Sequence, residues 1–153
     1  MLIAPRPDGH FELRIGAVER RFLLDVCNQL RELLLHAGDH PALQRLFPTA
    51  YPDDEEREAF YRQMVRDELR DRHLAALETI ERTAEASTLS ADELTQWMTA
   101  VNALRLVLGT HLGIAEDDEP AEVVDDDPDS AARLAYDLLT QMLWLIVKAL
   151  SGH

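Results

Sequence analysis

The chain has 153 residues, 46% of them hydrophobic and 29% charged, and a formal net charge of −14 at pH 7. That length suits one domain with a core that needs no staples. The charge excludes a broad attraction to nucleic acid or anionic lipid, which would require a local basic patch. The single cysteine, Cys27, excludes an intramolecular disulfide and a four-cysteine zinc site.

The opening stretch MLIAPRPDGH lacks a basic region followed by an apolar core, so no signal peptide is expected and the chain reads as cytoplasmic. Phe11, Leu13 and Ile15 alternate with Glu12 and Arg14, and Pro7 to Gly9 form a turn signal. Period-two patterning beside a turn predicts a short β-hairpin or a lone strand. After Gly16 the period becomes helical, with Val18, Phe22, Leu23, Val26, Leu30, Leu33 and Leu34 predicting a first helix to about His36, ended by Gly38. Cys27 shares the apolar side of this helix with Leu23, Leu30 and Leu34, where burial makes a thiol inert. A redox-active thiol is the alternative. HPALQRLF, with Pro41 near its start and Pro48 closing it, predicts one or two helical turns.

Asp53 and Asp54 are capping candidates for a second helix, whose acidic first turn suits the helix dipole. It is expected to run to about Ala86. Its apolar stripe drifts, with Phe60 and Met64 on one side and Leu69, Ala76 and Ile80 well round from it. The helix therefore breaks near Asp71 to His73 or meets different neighbours along its length. Arg62, Arg66 and Arg70 recur every four residues, and His73 extends the row. This row is either a solvated face balanced by Glu58, Asp67 and Asp71, or a candidate partner-binding surface.

Ser90 and Glu93 have the spacing of a capping box, and Leu89 with Leu94 that of a hydrophobic staple. The third helix is predicted from there to Leu112, with Gly113 as its terminating residue. Arg105 projects into the middle of its apolar stripe, between Leu94, Val101, Leu108 and Leu112. A guanidinium there must be paired, so Arg105 is expected to be a buried structural charge bonded to a carboxylate or to helix C-terminal carbonyls. A markedly acidic run follows. Nine of the fourteen residues from Glu116 to Asp129 are acidic and none is basic, which leaves −5 for the rest of the chain. Residues 116–127 read as an acidic mobile linker, with Asp127 and Pro128 starting a last helix that ends near Ser151. That helix is apolar nearly all round. Beyond its core stripe, Tyr136, Leu143, Trp144 and Val147 are a candidate homodimer interface. Its longest apolar stretch, Met142 to Val147, is far short of the roughly 20 residues that span a bilayer, so no membrane contact is expected.

The fold class is therefore mainly α: a helical bundle of about four long helices with a short N-terminal β-hairpin or strand, one domain over residues 1–153. Chemistry is sparse. Read from Asp117, the acidic run places Ala121 and Glu122 where a calcium loop needs a ligand and a glycine. His36 and His40 are separated by helix-breaking Gly38. No Ser/His/Asp order and no Gly-rich phosphate loop is present. No enzyme, metal or cofactor is expected.

The segments FELRIGAVERRFLLDVCNQLRELL, HPALQRLFPTAYPDD, VNALRLVLGTHLGI and AYDLLTQMLWLIVKAL resemble the AosR-like proteins of actinobacteria, across essentially the whole chain. Ala103 to Thr110, ALRLVLGT, is the most specific part. Fourteen arginines against one lysine agree with a GC-rich origin. The resemblance implies an oxidative-stress transcription regulator acting with an alternative sigma factor. The switch it implies uses a cysteine pair near the N-terminus, which this chain lacks, and His111 stands where the family leads us to expect arginine. The expectation is a non-enzymatic regulator that binds a protein, a sigma factor or RNA polymerase, and forms a homodimer, with no direct nucleic-acid contact. The alternative is an adaptor outside transcription, for example protease-associated.

Overall fold

Alternation at the amino terminus produces a hairpin. In the computed structural model, which describes residues 1–113 and 130–152, β1 (Leu2–Pro5) pairs antiparallel with β2 (Phe11–Arg14), Ile3 opposite Leu13. Gly9, at φ 86°, turns the chain between them. Ile3, Phe11 and Leu13 point into the core. A third strand, β3 (Thr88–Leu89), completes the sheet in the order β1-β2-β3, with Phe11 opposite Leu89. Two residues carry no readable alternation, which is why the sequence predicts only the hairpin.

Helix α1 (Ala17–His36) buries Leu23, Cys27, Leu30 and Leu34 at the expected helical spacing. The following Pro41 stretch is a single 3₁₀ turn, Pro41–Leu43, whose start is capped by His40: its Nδ1 accepts from the Ala42 N–H at 3.0 Å. Helix α2 (Glu55–Thr83) is continuous, with Asp54 as its cap, so the drifting stripe reflects changing neighbours and no break. All its buried residues fall between Ala76 and Thr83.

Helix α3 (Ala91–Leu112) starts at the predicted capping box. The Ser90 hydroxyl accepts from the Glu93 N–H at 3.1 Å, and the Glu93 carboxylate accepts from the Ser90 N–H at 2.9 Å. The helix stops at Gly113, left-handed at φ 71°. It is the central element, packed against both α2 and α4 (Ser130–Ser151). Its Trp97 is fully buried, and the indole N–H donates to the Thr83 hydroxyl at 2.8 Å, which in turn donates to the Thr79 carbonyl at 2.6 Å. Helix α4 contributes Leu139, Met142, Ile146 and Ala149 to the same core. The expected linker at 116–127 and the Asp127/Pro128 start of the last helix lie outside the described residues.

Candidate functional site

Three side-chain groups singled out in the sequence reach the surface or its margin, and α2 carries the first. The arginine row forms, but it faces the chain's own loop. Arg62 donates to Glu58 at 3.1 Å and to the Thr49 hydroxyl at 3.4 Å. The same Glu58 carboxylate accepts from the Ala50 and Tyr51 N–H groups at 2.8 and 3.0 Å. The Tyr51 N–H first, then Arg62 and the Ala50 N–H, hold the Glu58 carboxyl below its usual range against the opposing effect of desolvation. Arg66 donates to the Gly38 carbonyl, pairs with Asp39 at 3.0 Å and lies over the Phe47 ring at 5.4 Å. Arg70 pairs with Asp71 at 3.3 Å and Asp67 at 3.6 Å. Arg62 and Arg66 thus pin residues 38–51 to the helix. His73, at the end of the row, is half-buried with the Phe47 ring edge-on at 6.4 Å. Burial, reinforced by nearby Arg72, pushes its imidazole below the usual range.

At 100° per residue, Phe60 and Met64 fall on the side of α2 opposite this row. They are 65% and 66% exposed, far more than large apolar side chains need to be. With Tyr51, Arg57, Tyr61 and Val65 they line an open groove of about 740 Å³. Its aromatic wall is ordered: Tyr51 and Tyr61 meet edge to face at 6.0 Å, and the Arg57 guanidinium sits 5.9 Å from the Tyr51 ring centre. Sequence reasoning saw Phe60 and Met64 as a displaced part of a core stripe and missed them as a surface. Their offset from Ala76 and Ile80 was the available signal.

Cys27 is fully buried, and burial, with the Glu81 charge behind it, pushes its thiol up to about 12. Arg31 works in the opposite direction and lies against Glu81 at 2.5 Å, an ion pair without hydrogen-bond alignment. The thiolate that redox chemistry needs is therefore scarce at neutral pH.

Arg105 departs from expectation. It is half-buried, and among the described residues no carboxylate pairs with it. Its Nε–H donates to the Thr140 hydroxyl at 2.9 Å, and its guanidinium lies 5.0 Å from the Tyr136 ring centre. Because Arg105 sits at the α3–α4 seam, a neutral acceptor and a π face suffice where a buried charge would need an anion. Tyr136 also explains Gly109: a Cβ there would come within 3.1 Å of the Tyr136 ring.

The four candidate interface residues of α4 do not share one environment. Tyr136 and Leu143 are half-buried beside α3, whereas Trp144 is 59% exposed and Val147 is exposed beside it. Lys148 lies 4.8 Å from the Trp144 ring centre. Helix α4 is also, among the described residues, long and apolar enough to cross a membrane, with a mean hydropathy of 1.2. The short apolar run Met142 to Val147 did not suggest this. A core helix passes the same test, and one side of α4 is core.

A further cavity of about 610 Å³ lies between α1, α3 and α4, walled mainly by aliphatic side chains such as Val26, Leu30 and Leu104. Asp25, Gln29, His40 and His111 are its polar lining residues. Among the described residues no group of three or more histidine, cysteine or acidic side chains could hold a metal ion.

Fold and surface together define a class: a mainly α domain with a small antiparallel sheet, one core, and large apolar side chains left in the open on α1, α2 and α4. The chain belongs to the family described as Domain of unknown function (DUF2017), whose model matches residues 3–150. No curated protein and no solved structure matches it.

Proposed function

We propose that this chain is a non-enzymatic regulatory protein of the cytoplasm that acts through protein contacts, in the manner of the AosR-like regulators it resembles. Its partner is then a sigma factor or RNA polymerase, and it works without a cysteine-pair switch. The observation that carries this reading is the solvent face of α2, where Phe60 and Met64 stand exposed beside an ordered aromatic wall. Aromatic and methionine side chains are the usual anchors of protein interfaces, and an exposed apolar patch costs solubility unless something covers it. Direct nucleic-acid binding is disfavoured by the net charge of −14 and by an arginine row already engaged with Glu58, Asp39 and Asp67.

The arginine row, read from sequence as a solvated face or a candidate partner-binding surface, becomes the support of that surface. Arg62 and Arg66 hold the loop that carries Tyr51. The chain is further proposed to act as a homodimer through α4. The test is a pulldown from native lysate with the full chain and with a Phe60→Ser/Met64→Ser variant, followed by binding of the purified partner. Retention of a sigma factor or RNA polymerase by the wild type and its loss in the variant supports the reading. A protease component retained instead assigns the chain to adaptors outside transcription, and a partner held equally by both proteins removes α2 as the surface.

A further inference from the structure

Helix α4 has two seams. The inner one, Leu139, Met142, Ile146 and Ala149, is buried. The outer one, Leu134, Asp137, Gln141, Trp144, Lys148 and Ser151, is exposed at every position. Both repeat at alternating steps of three and four, the spacing that lets one helix lie along another. The outer seam has no partner within the described chain and places its two large apolar side chains, Leu134 and Trp144, at 57% and 59% exposure.

We propose that two copies of this chain pair through this outer seam in antiparallel register, with Asp137 of each facing Lys148 of the other. This rests on the homodimer reading and specifies the surface and the register. In an antiparallel pair each layer joins one position of the seam with its mirror position. Leu134 meets Ser151, Asp137 meets Lys148, and Gln141 lies across the Trp144 ring. Asp137 and Lys148 are eleven residues apart, about 16 Å along the axis, so they cannot pair within one helix. Two-fold symmetry brings them together twice, because an isologous interface meets each residue with its mirror partner.

Charge complementarity selects this occupant and this direction. A parallel pair would set Asp137 against Asp137 and Lys148 against Lys148, like charges at both ends of the seam. The seam is neutral in a chain of net charge −14, so two acidic bodies can approach there without stacking charge on charge. A bilayer would instead have to accept Asp137 and Lys148 unpaired. Of the interface residues read from sequence, Trp144 lies in the seam and Val147 flanks it. Tyr136 and Leu143 turn toward α3.

The wild type should sediment as a dimer at micromolar concentration. Asp137→Lys and Lys148→Asp should each weaken dimerisation at least about tenfold, and the double exchange should bring it back to near the wild-type level. Mixing the two single variants should restore pairing between them. In a parallel experiment, a mixture of Asp137→Cys and Lys148→Cys chains should form a disulfide-linked dimer under mild oxidation, while neither variant alone does so. Self-linking by each variant alone would establish a parallel pair and overturn the register. A dimer indifferent to both charge variants would overturn the seam and leave the homodimer reading standing. A wild type that stays monomeric would overturn both, and one that instead floats with phosphatidylcholine vesicles would assign α4 to a bilayer.

Discussion

The two ends of α2 are built on different principles. From Ala76 to Thr83 the helix is a core element: Ala76, Leu77 and Ile80 are wholly buried, and Thr83 anchors the Trp97 indole. From Glu55 to Ala75 it has no buried residue, although the hydrogen-bonded helix continues without a break. That length is held by an aspartate cap, an acidic first turn and arginines reaching to the adjoining loop. The outer part therefore keeps its helix with side chains that are at most partly buried, and it leaves Phe60 and Met64 exposed. One helix supplies both a structural end and a presenting end.

The sharpest way to break this contrast is at the buried end. Ile80→Ala should cost about 2–5 kcal/mol, the range for truncating a core aliphatic residue, as read by denaturant unfolding. A cost below about 1 kcal/mol would show that the buried end is not the anchor it is taken to be here.

The boundary between the ends can be tested through pH. His73 has its folded pKa lowered, so the unfolded chain binds the proton more readily than the native one. Stability from the neutral ring is complete above the unfolded pKa, near 6.5. It is lost as pH falls from there through the lower folded value. The melting temperature should drop between pH 7.5 and 5.5, and His73→Phe should flatten that slope. An unchanged slope in the variant would place the proton uptake elsewhere.

At the presenting end the expected effect on stability is small. Phe60→Ser with Met64→Ser should move unfolding by no more than about 0.5 kcal/mol per site, as for exposed positions generally. A loss of several kcal/mol would mean that the patch is covered by the chain itself. Smallest of all is the response of Cys27, which lies across from the buried end near Glu81. Dilute peroxide at neutral pH should leave the Cys27 thiol of the native protein intact, as counted by thiol titration after unfolding, while the unfolded chain should lose it. Oxidation of the native protein at the same rate would show that the helix opens readily.

Much of this fold is legible in the sequence because its signals are local. Ser90 with Glu93, Asp54 ahead of its helix, and Gly113 after Leu112 each announce a boundary through backbone chemistry confined to a few residues. What remained hidden depends on a second surface. Thr88 and Leu89 become a strand only because β2 lies beside them. Arg105 finds Thr140 and Tyr136 from another helix, which no spacing within α3 could name. Helical projection places Arg62, Arg66 and Arg70 in a row and Phe60 with Met64 away from it. It does not tell which side the loop at residues 38–51 will cover, so the row looked like the surface and the opposite side did not.

The two-residue strand β3 has a consequence for how the chain is made. The hairpin leaves the ribosome before the helices, yet its second strand gains its remaining neighbour only when Thr88 and Leu89 emerge, with the Leu13 N–H donating to the Ser87 carbonyl just ahead of them. At roughly 5–20 residues per second of synthesis, β2 waits several seconds with one edge open. The hairpin's apolar side stays uncovered well beyond that interval, because β1 packs against α4, which follows α3 in the chain. Closure of the sheet and the start of the central helix at Ser90 are then nearly one event, and the amino terminus is among the last parts of the first ninety residues to settle.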